Sequence, residues 1–582
     1  MKRTIHLVAG LAVASASMLM AQPTVYDRGV VNAASVSKVG LPNSSIAQGS
    51  FFSIFGSNMG PAKSPSLSFP LQTTLGGVSV TVTAGGQNYD AIPLFVGPNQ
   101  INAVLPSTVP VGPATLTVTF NGTSNSVSFQ VVAHSFGIFT VAQSGSGPGV
   151  IQDQNYAQFS LTHSALAGDI AIIWGTGLTA VKAGQDEAAG PLPGDRTDVP
   201  AEVYVGLTKA NLTYRGRSGC CVGVDQVFFT VPAGVTGCHV PVAVKIGNIV
   251  SNFVTMPIAG GSNPADRASA SRVCTDPDGP SQSDLTKYQQ QGSFSGGNIV
   301  LERTTTTSPG LPPPLGTGQP TTSTTDSGSG SFYKYTFTQL TSAQNPFQVA
   351  TIGACTVFTF GGDSPVVVDA VQPKVLDAGP QLTVIGPNGT KTLTKGSGGD
   401  YYAQLGGGSD STIPTFGKAN PHPDAVAPLY LDPGAYTVNG PGGVDVKKFT
   451  ANINIAQPLT WTNEDSVNTV VRSAGQLITW SGGDPSSTVE IMGFSFLLGT
   501  NPDGSDSVGA VFTCIAPDSA HQFNIPALVL DLLPASVTNP EIPIPTGSLS
   551  VASQQSVSFT ATGIDQGRLG SIVSVGKSVT YQ

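Results

Sequence analysis

Two short acidic stretches hold closely spaced oxygen ligands. Asn501-Pro-Asp503-Gly-Ser-Asp506 and Asp276-Pro-Asp278-Gly place side-chain oxygens two or three residues apart. A loop needs that spacing to wrap a hard cation such as calcium, and Asn501, Asp503 and Asp506 form the better candidate of the two. Neither stretch is followed by the Glu that closes an EF-hand loop, and Asx-Gly sequences are also ordinary turns. Aromatic residues make a second group. Tyr401, Tyr402 and Trp461, with Tyr430 and Trp480, are candidates for a glycan platform, although aromatics in strands more often fill a core. Catalytic signatures are lacking. His134, His163, His239, His422 and His521 are scattered, with no HExxH and no GxSxG nucleophile elbow. Gly576-Lys577-Ser578 resembles the end of a P-loop, but residue 571 is Ser where that motif requires Gly.

The six Cys are Cys220, Cys221, Cys238, Cys274, Cys355 and Cys514. An even number in an exported chain predicts three disulfides. A bridge between the adjacent Cys220 and Cys221 would be strained. Each is therefore expected to pair elsewhere, with Cys238 and Cys274, leaving Cys355 to pair with Cys514. A zinc site is disfavoured, because there is no CxxC and only His239 lies near the cluster. Export is read from the N-terminus: Lys2 and Arg3, an apolar run from Ile5 to Ala16, then small residues up to Ala21. This is the pattern of a signal peptide, with cleavage expected after Ala21 and Ala16 as the alternative. Its loss removes two basic residues and no acid, so the net charge moves from −9 to −11. That argues against nucleic acid and anionic membranes as partners. No later apolar run is long enough to span a bilayer. The expected location is secreted, extracellular or periplasmic.

The elements that must position these residues are strands. Charged residues make up 10% of the chain, against roughly 25% in an ordinary soluble domain. Gly (70) and Pro (45) are abundant, so short strands and many turns are expected, with Ser, Thr, Asn and Gly on the surface. Residues 45–132 and 164–258 can be overlaid. Gly49-Ser-Phe-Phe-Ser-Ile-Phe-Gly56 matches Gly168-Asp-Ile-Ala-Ile-Ile-Trp-Gly175, and a Ser-Asn pair follows the last strand in each copy, at 124–125 and 251–252. Between these landmarks each copy has a Gln, five residues, a Pro and then a Gly: Gln100, Pro106 and Gly112, then Gln226, Pro232 and Gly237. Ile101, Ala103 and Leu105, like Val227, Phe229 and Val231, alternate as a strand with one face on a core requires. Pro ends the strand and Gly permits the turn. The stretch is therefore read as scaffold and not as a ligand site, and Trp174, the counterpart of Phe55, is expected in the core.

These residues also carry a resemblance. Val30–Ser35 (VVNAAS), IAQGSFFSIFGSNMG (46–60), LGGVSV (75–80), GPNQINAVLP (97–106), GIFT (137–140), GDIAIIWGTGL (168–178) and the Gln226–Pro232 stretch look like the Solibacter-type uncharacterised domain of secreted acidobacterial proteins. The resemblance covers about residues 24–258 and implies export and paired β-sandwiches. It implies no activity and carries over no functional residue. SGCCVGVD (218–225) departs from the simplest form of the pattern and suggests a variant tied down by disulfides.

Beyond this pair, Ser283 to Gln291 reads as a short helix with Ser283 as N-cap and Gly292 as C-cap. Asn298 to Arg303 reads as a strand. The Thr-, Ser-, Pro- and Gly-rich stretch 304–331 has no core-forming residues and is expected to be a mobile loop. From 332 onward strand-like runs return, and Pro387-Asn-Gly389 marks a hairpin turn between Val384-Ile385 and Thr390-Lys391. The expected fold is all-β: tandem immunoglobulin-like β-sandwiches followed by a larger β-sandwich region. The expected units are a signal peptide (1–21), sandwiches at 24–140 and 141–258, a linker (259–331) and the C-terminal region (332–582). The functional expectation is a secreted, non-enzymatic extracellular interaction or adhesion module. The alternative is a carbohydrate-binding or carbohydrate-active protein with its site in the C-terminal region. Either way the expected partner is an extracellular protein or polysaccharide.

Overall fold

Short alternating runs bounded by Gly and Pro build two sandwiches in succession. The computed structural model describes residues 22–182, 185–187, 194–260, 271–276, 279–310, 318–340, 351–362, 372–408, 427–499, 506–537 and 545–582. In the first sandwich one sheet runs Thr24–Asn32, Phe51–Ser57, Gln100–Val104, Ile92–Val96. Val78–Ala84, Gly112–Thr119 and Val127–Val132 belong to the facing sheet. Ile54, Val80, Ile101 and Leu116 meet between the two. In the second sandwich Ile170–Thr176, Asp225–Thr230 and Thr208–Arg217 face Ala201–Val205 and Gly237–Ile246 over Ile173, Val203, Phe229 and Val242. Phe136 and Ile138 already belong to this second core, so the second sandwich begins before residue 141.

The duplication extends to side-chain roles. Phe55 pairs across the ladder with Gln100, and Trp174 pairs with Gln226. Ser124 Oγ accepts from Val118 N in one copy, and Ser251 Oγ accepts from Val244 N in the other. The Asn that follows exchanges two hydrogen bonds with the backbone of the copy's first strand, Asn125 with Val25 and Asn252 with Ile138. Ile101, Ala103, Leu105, Val227, Phe229 and Val231 are all buried. Gly112 and Gly237 take φ of 139° and 146°, which suits glycine. The copies differ at one strand. Gln87–Asp90 and Ile92–Val96 are separate strands in the first, whereas Thr208–Arg217 is a single strand that pairs in both sheets of the second.

The C-terminal region is one large sheet over two cores. Its long members are Ser293–Ser308, Thr321–Thr336, Gly547–Phe559 and Gln566–Tyr581. A 16-residue strand spans roughly 50 Å, long enough to serve two cores in turn. One core gathers Phe332, Tyr401, Tyr436 and Phe449. The other gathers Trp461, Trp480, Phe512 and Tyr581, and takes Ala243, Val250 and Phe253 from the second sandwich. The final strand pair completes this sheet, since Gln566–Tyr581 runs parallel to Ser293–Ser308. The hairpin at 387–389 pairs Val384 with Lys391 and Ile385 with Thr390, as its turn chemistry predicts.

Three expectations are corrected. Most of the low-complexity stretch 304–331 is strand, and its ladder with Ser293–Ser308 is continuous through Ser308 and Thr321. The inward positions 326, 328 and 330 are Asp, Gly and Gly, so no apolar period marks them. Leu393 and Leu382 fill the space where side chains at Gly328 and Gly330 would stand. The helix begins one turn position earlier than expected, at Gln282–Gln291, because Ser281 rather than Ser283 caps it in a reciprocal box with Asp284. The disulfides are Cys220–Cys221, Cys238–Cys274 and Cys355–Cys514. The adjacent pair closes on itself because Cys238 and Cys274 are buried in a separate cluster with the helix residues Leu285 and Tyr288.

Asp326 holds the long hairpin to its neighbours. Its carboxylate is fully buried and receives both Arg303 Nε and Nη2, at 2.7 and 2.8 Å, together with the backbone N–H groups of Tyr430 and Leu431. Burial works to raise its pKa, but these donors outweigh burial and hold the group below its ordinary value of 3.8. The stabilisation is therefore present above about pH 4 and is lost as pH falls through the lowered folded value. Asp326→Asn is expected to lower stability by about 3 kcal/mol in urea titrations at pH 7, with a smaller difference from the parent protein on the acid side. Non-reducing peptide mapping is expected to recover Cys220 and Cys221 bridged within one peptide, and Cys238 linked to Cys274.

Candidate functional site

Strand alternation determines what faces outward between the sandwiches. With Phe52, Ile54, Ile101 and Ala103 in the first core, Ser53, Phe55, Gln100 and Asn102 project from the opposite face of the same sheet. They form the floor of a cleft of about 650 Å3. Residues of segments 31–36 and 139–143 line it as well, together with Trp174, Val224 and Cys221. No Asp, Glu, Lys, Arg or His is among the described residues that line it.

The polar groups of the floor are linked. Gln100 Nε2 and Ser53 Oγ both donate to Asn102 Oδ1, at 2.8 and 2.9 Å. Asn102 Nδ2 and Gln100 Oε1 have no hydrogen-bond partner among the described residues, so the floor offers one donor group and one acceptor. Trp174 is half-buried, and its Nε1 donates to Gln152 Oε1 at 2.7 Å. It stands on the outward face of its strand and not in the core, because Ala171 and Ile173 take the inward positions. The expectation of a core Trp174 is corrected accordingly.

Buried polar ties hold the lining segments. Asn32 Oδ1 accepts from Ala34 N and Ser35 N, and its Nδ2 donates to Ser135 O and Thr176 O. Phe51 N donates to Thr176 Oγ1, which donates in turn to Gly223 O. Arg217 and Asp225 lie 3.2 Å apart, 4% and 3% exposed. Arg217 also reaches Gly49 O, and Asp225 accepts from Leu178 N. Burial pushes the Asp225 carboxyl up, against the pull of Arg217 and of the Leu178 and Gly177 N–H groups. Gly145 lets the two segments approach, since a Cβ there would lie 2.0 Å from Ser35 O. Val36 and Gln143, which face the cleft, both take left-handed backbone conformations, with φ of 49° and 55°. For β-branched Val36 this is strained, and such strain gathers where binding needs a set geometry.

The aromatic platform expected from sequence is not assembled, and the acidic loops lie partly outside the described residues. Tyr401 is buried with its hydroxyl on Gly379 O, Trp461 is 4% exposed, and only Tyr402, at 60%, is open to solvent. Tyr430 and Trp480 are also buried, so these aromatics make cores and not a platform. Asn501 and Asp503 lie outside the described residues. Asp506 is buried 3.6 Å from Arg28. Asp278 also lies outside the described residues, and Asp276 accepts from Cys238 N beside His239. Among the described residues no three His, Cys, Asp or Glu gather as a metal would need. From sequence the Gln100 stretch reads as scaffold, and Asn102 is given no role. Any signal at that position is weak, because the second copy has Phe228 where the first has Asn102.

The chain is thus a tandem immunoglobulin-like β-sandwich protein with a third, larger β-region. No family model and no curated protein matches it. Among solved structures, an auxiliary nutrient-binding protein from Bacteroides ovatus aligns at 15% identity and a TM-score of 0.12, over 25% of this chain and 27% of that one. The chain therefore spans about a quarter of that protein's length. The Bacteroides ovatus mixed-linkage glucan utilization locus protein SGBP-B aligns at 13% and 0.19, over 51% and 68%. Domains 5–6 of the S-layer protein SbsC align at 16% and 0.17, over 41% and 100%. At these TM-scores the likenesses carry no functional argument.

Asn32→Ala would strip two backbone N–H groups and two carbonyls of their partner. It is expected to cost about 2–4 kcal/mol in denaturant unfolding and to speed hydrogen exchange at Ala34 and Ser35.

Proposed function

We propose that the protein is an extracellular, non-enzymatic binding protein, acting as an interaction or adhesion module. The observation that carries this reading is the fusion of its units into one body. The Arg217–Asp225 pair sits at the junction of the two sandwiches. The second lends Phe253 and Val250 to a C-terminal core, and Lys245 meets Asp531 at 3.0 Å. Arg28 of the first strand pairs with Asp506. A body braced in this way holds its surfaces at set distances, which suits attachment. The disulfides fit an oxidising compartment. Among the described residues no helix is long and apolar enough to cross a membrane. The carbohydrate reading placed in the C-terminal region loses its main support, since Tyr401 and Trp461 are buried.

Purified intact protein is expected to bind saturably to cell surfaces or extracellular polymers, measured by surface retention and biolayer interferometry. Binding to neither class would overturn the reading.

A further inference from the structure

We propose that the cleft between the two sandwiches is a binding site for a neutral pyranose saccharide. The inference rests on reading the chain as a binding protein and adds the ligand class and the place. At about 650 Å3 the cleft is within the roughly 300–1,000 Å3 of small-molecule sites. Its described lining has no ionised side chain, so a charged ligand would lose its hydration without gaining a counter-ion.

A purely apolar ligand fits no better. It would cover Asn102 Nδ2 and Gln100 Oε1 and leave both without partners, at about 1–3 kcal/mol each. The remaining class is neutral, apolar on one face and hydroxylated at its edge. A pyranose ring has that form: its C–H face can lie on the half-buried Trp174, and its hydroxyls can accept from Asn102 and donate to Gln100. Gln143, exposed at the rim, adds a third carboxamide. An extended peptide is disfavoured because the floor is a sheet face. Phe51–Ser57 and Gln100–Val104 are each paired on both sides, so no strand edge is open to a peptide backbone.

The test uses the intact protein on an array of neutral mono- and oligosaccharides, followed by calorimetry and Trp fluorescence. Trp461 and Trp480 are buried whereas Trp174 is half-buried at the cleft, so a bound sugar is expected to change the emission of Trp174. Asn102→Ala and Gln100→Ala are each expected to weaken binding about tenfold. Trp174→Phe is expected to abolish the fluorescence response while preserving the fold. Tyr402→Ala, at an exposed ring remote from the cleft in sequence, is expected to leave affinity unchanged. Silence of the array, or unchanged affinity in an Asn102→Ala protein with the parent's unfolding midpoint, would overturn the proposal. If the array is silent while cell-surface binding persists, the saccharide fails and the binding reading stands. Preference for charged glycans, peptides or lipids would overturn the ligand class.

Discussion

The arrangement of the N-terminal half turns on one buried ion pair. Arg217 and Asp225 face each other across neighbouring strands of the second sandwich, almost wholly out of water. Two charges at such depth are tolerated only when paired and when other groups complete their hydrogen bonding. Gly49 O from the first sandwich accepts from Arg217 Nη2 and Leu178 N from the second donates to Asp225, while Arg217 Nη1 has only the ionic contact with Asp225. The pair therefore ties a strand end, a loop and the adjoining sandwich together. The loop that follows, 218–224, is thereby held against the first sandwich, where Gly223 packs beside Phe51 and Val104. Through this loop the junction brings Cys221 and Val224 to the lining of the cleft.

The same economy is seen elsewhere. A chain with only 10% charged residues places several of its ion pairs at long-range junctions. Arg303 and Asp326 clamp the long hairpin to the segment at Tyr430. Arg28 and Asp506 join the first strand to the C-terminal region. Lys245 and Asp531 join that region to the second sandwich. Apolar packing continues across the last junction through Phe253. Units that the chain order separates are in this way made parts of one body.

Much of the strand pattern was legible. Ile101, Ala103, Val227 and Phe229 announce a half-buried strand by alternation alone, and Pro106 and Pro232 announce its end. Pro387-Asn-Gly389 specifies its own turn and the pairing around it. The stretch around Asp326 was illegible for a physical reason. Its inward positions are filled by glycine and a carboxylate, and the apolar volume comes from Leu382 and Leu393 of other strands. A local window cannot see a core supplied from elsewhere. Trp174 was misplaced for the converse reason: a large aromatic in an apolar run looks buried, but the phase of the alternation set by Ala171 and Ile173 turns it outward.

By itself the sequence determined what is local: strand alternation, turn chemistry, the helix C-cap at Gly292 and the duplication that places Gln100 and Gln226 alike. Tertiary structure alone decided what depends on distance between remote residues. It closed Cys220 onto Cys221 because Cys238 and Cys274 are buried together elsewhere. It buried Tyr401 and Trp461 in cores and brought Asn102, Trp174 and Val36 to one cleft. A strand's own residues specify its two faces, but which face meets solvent, a core or another domain is settled only when the sheets are packed.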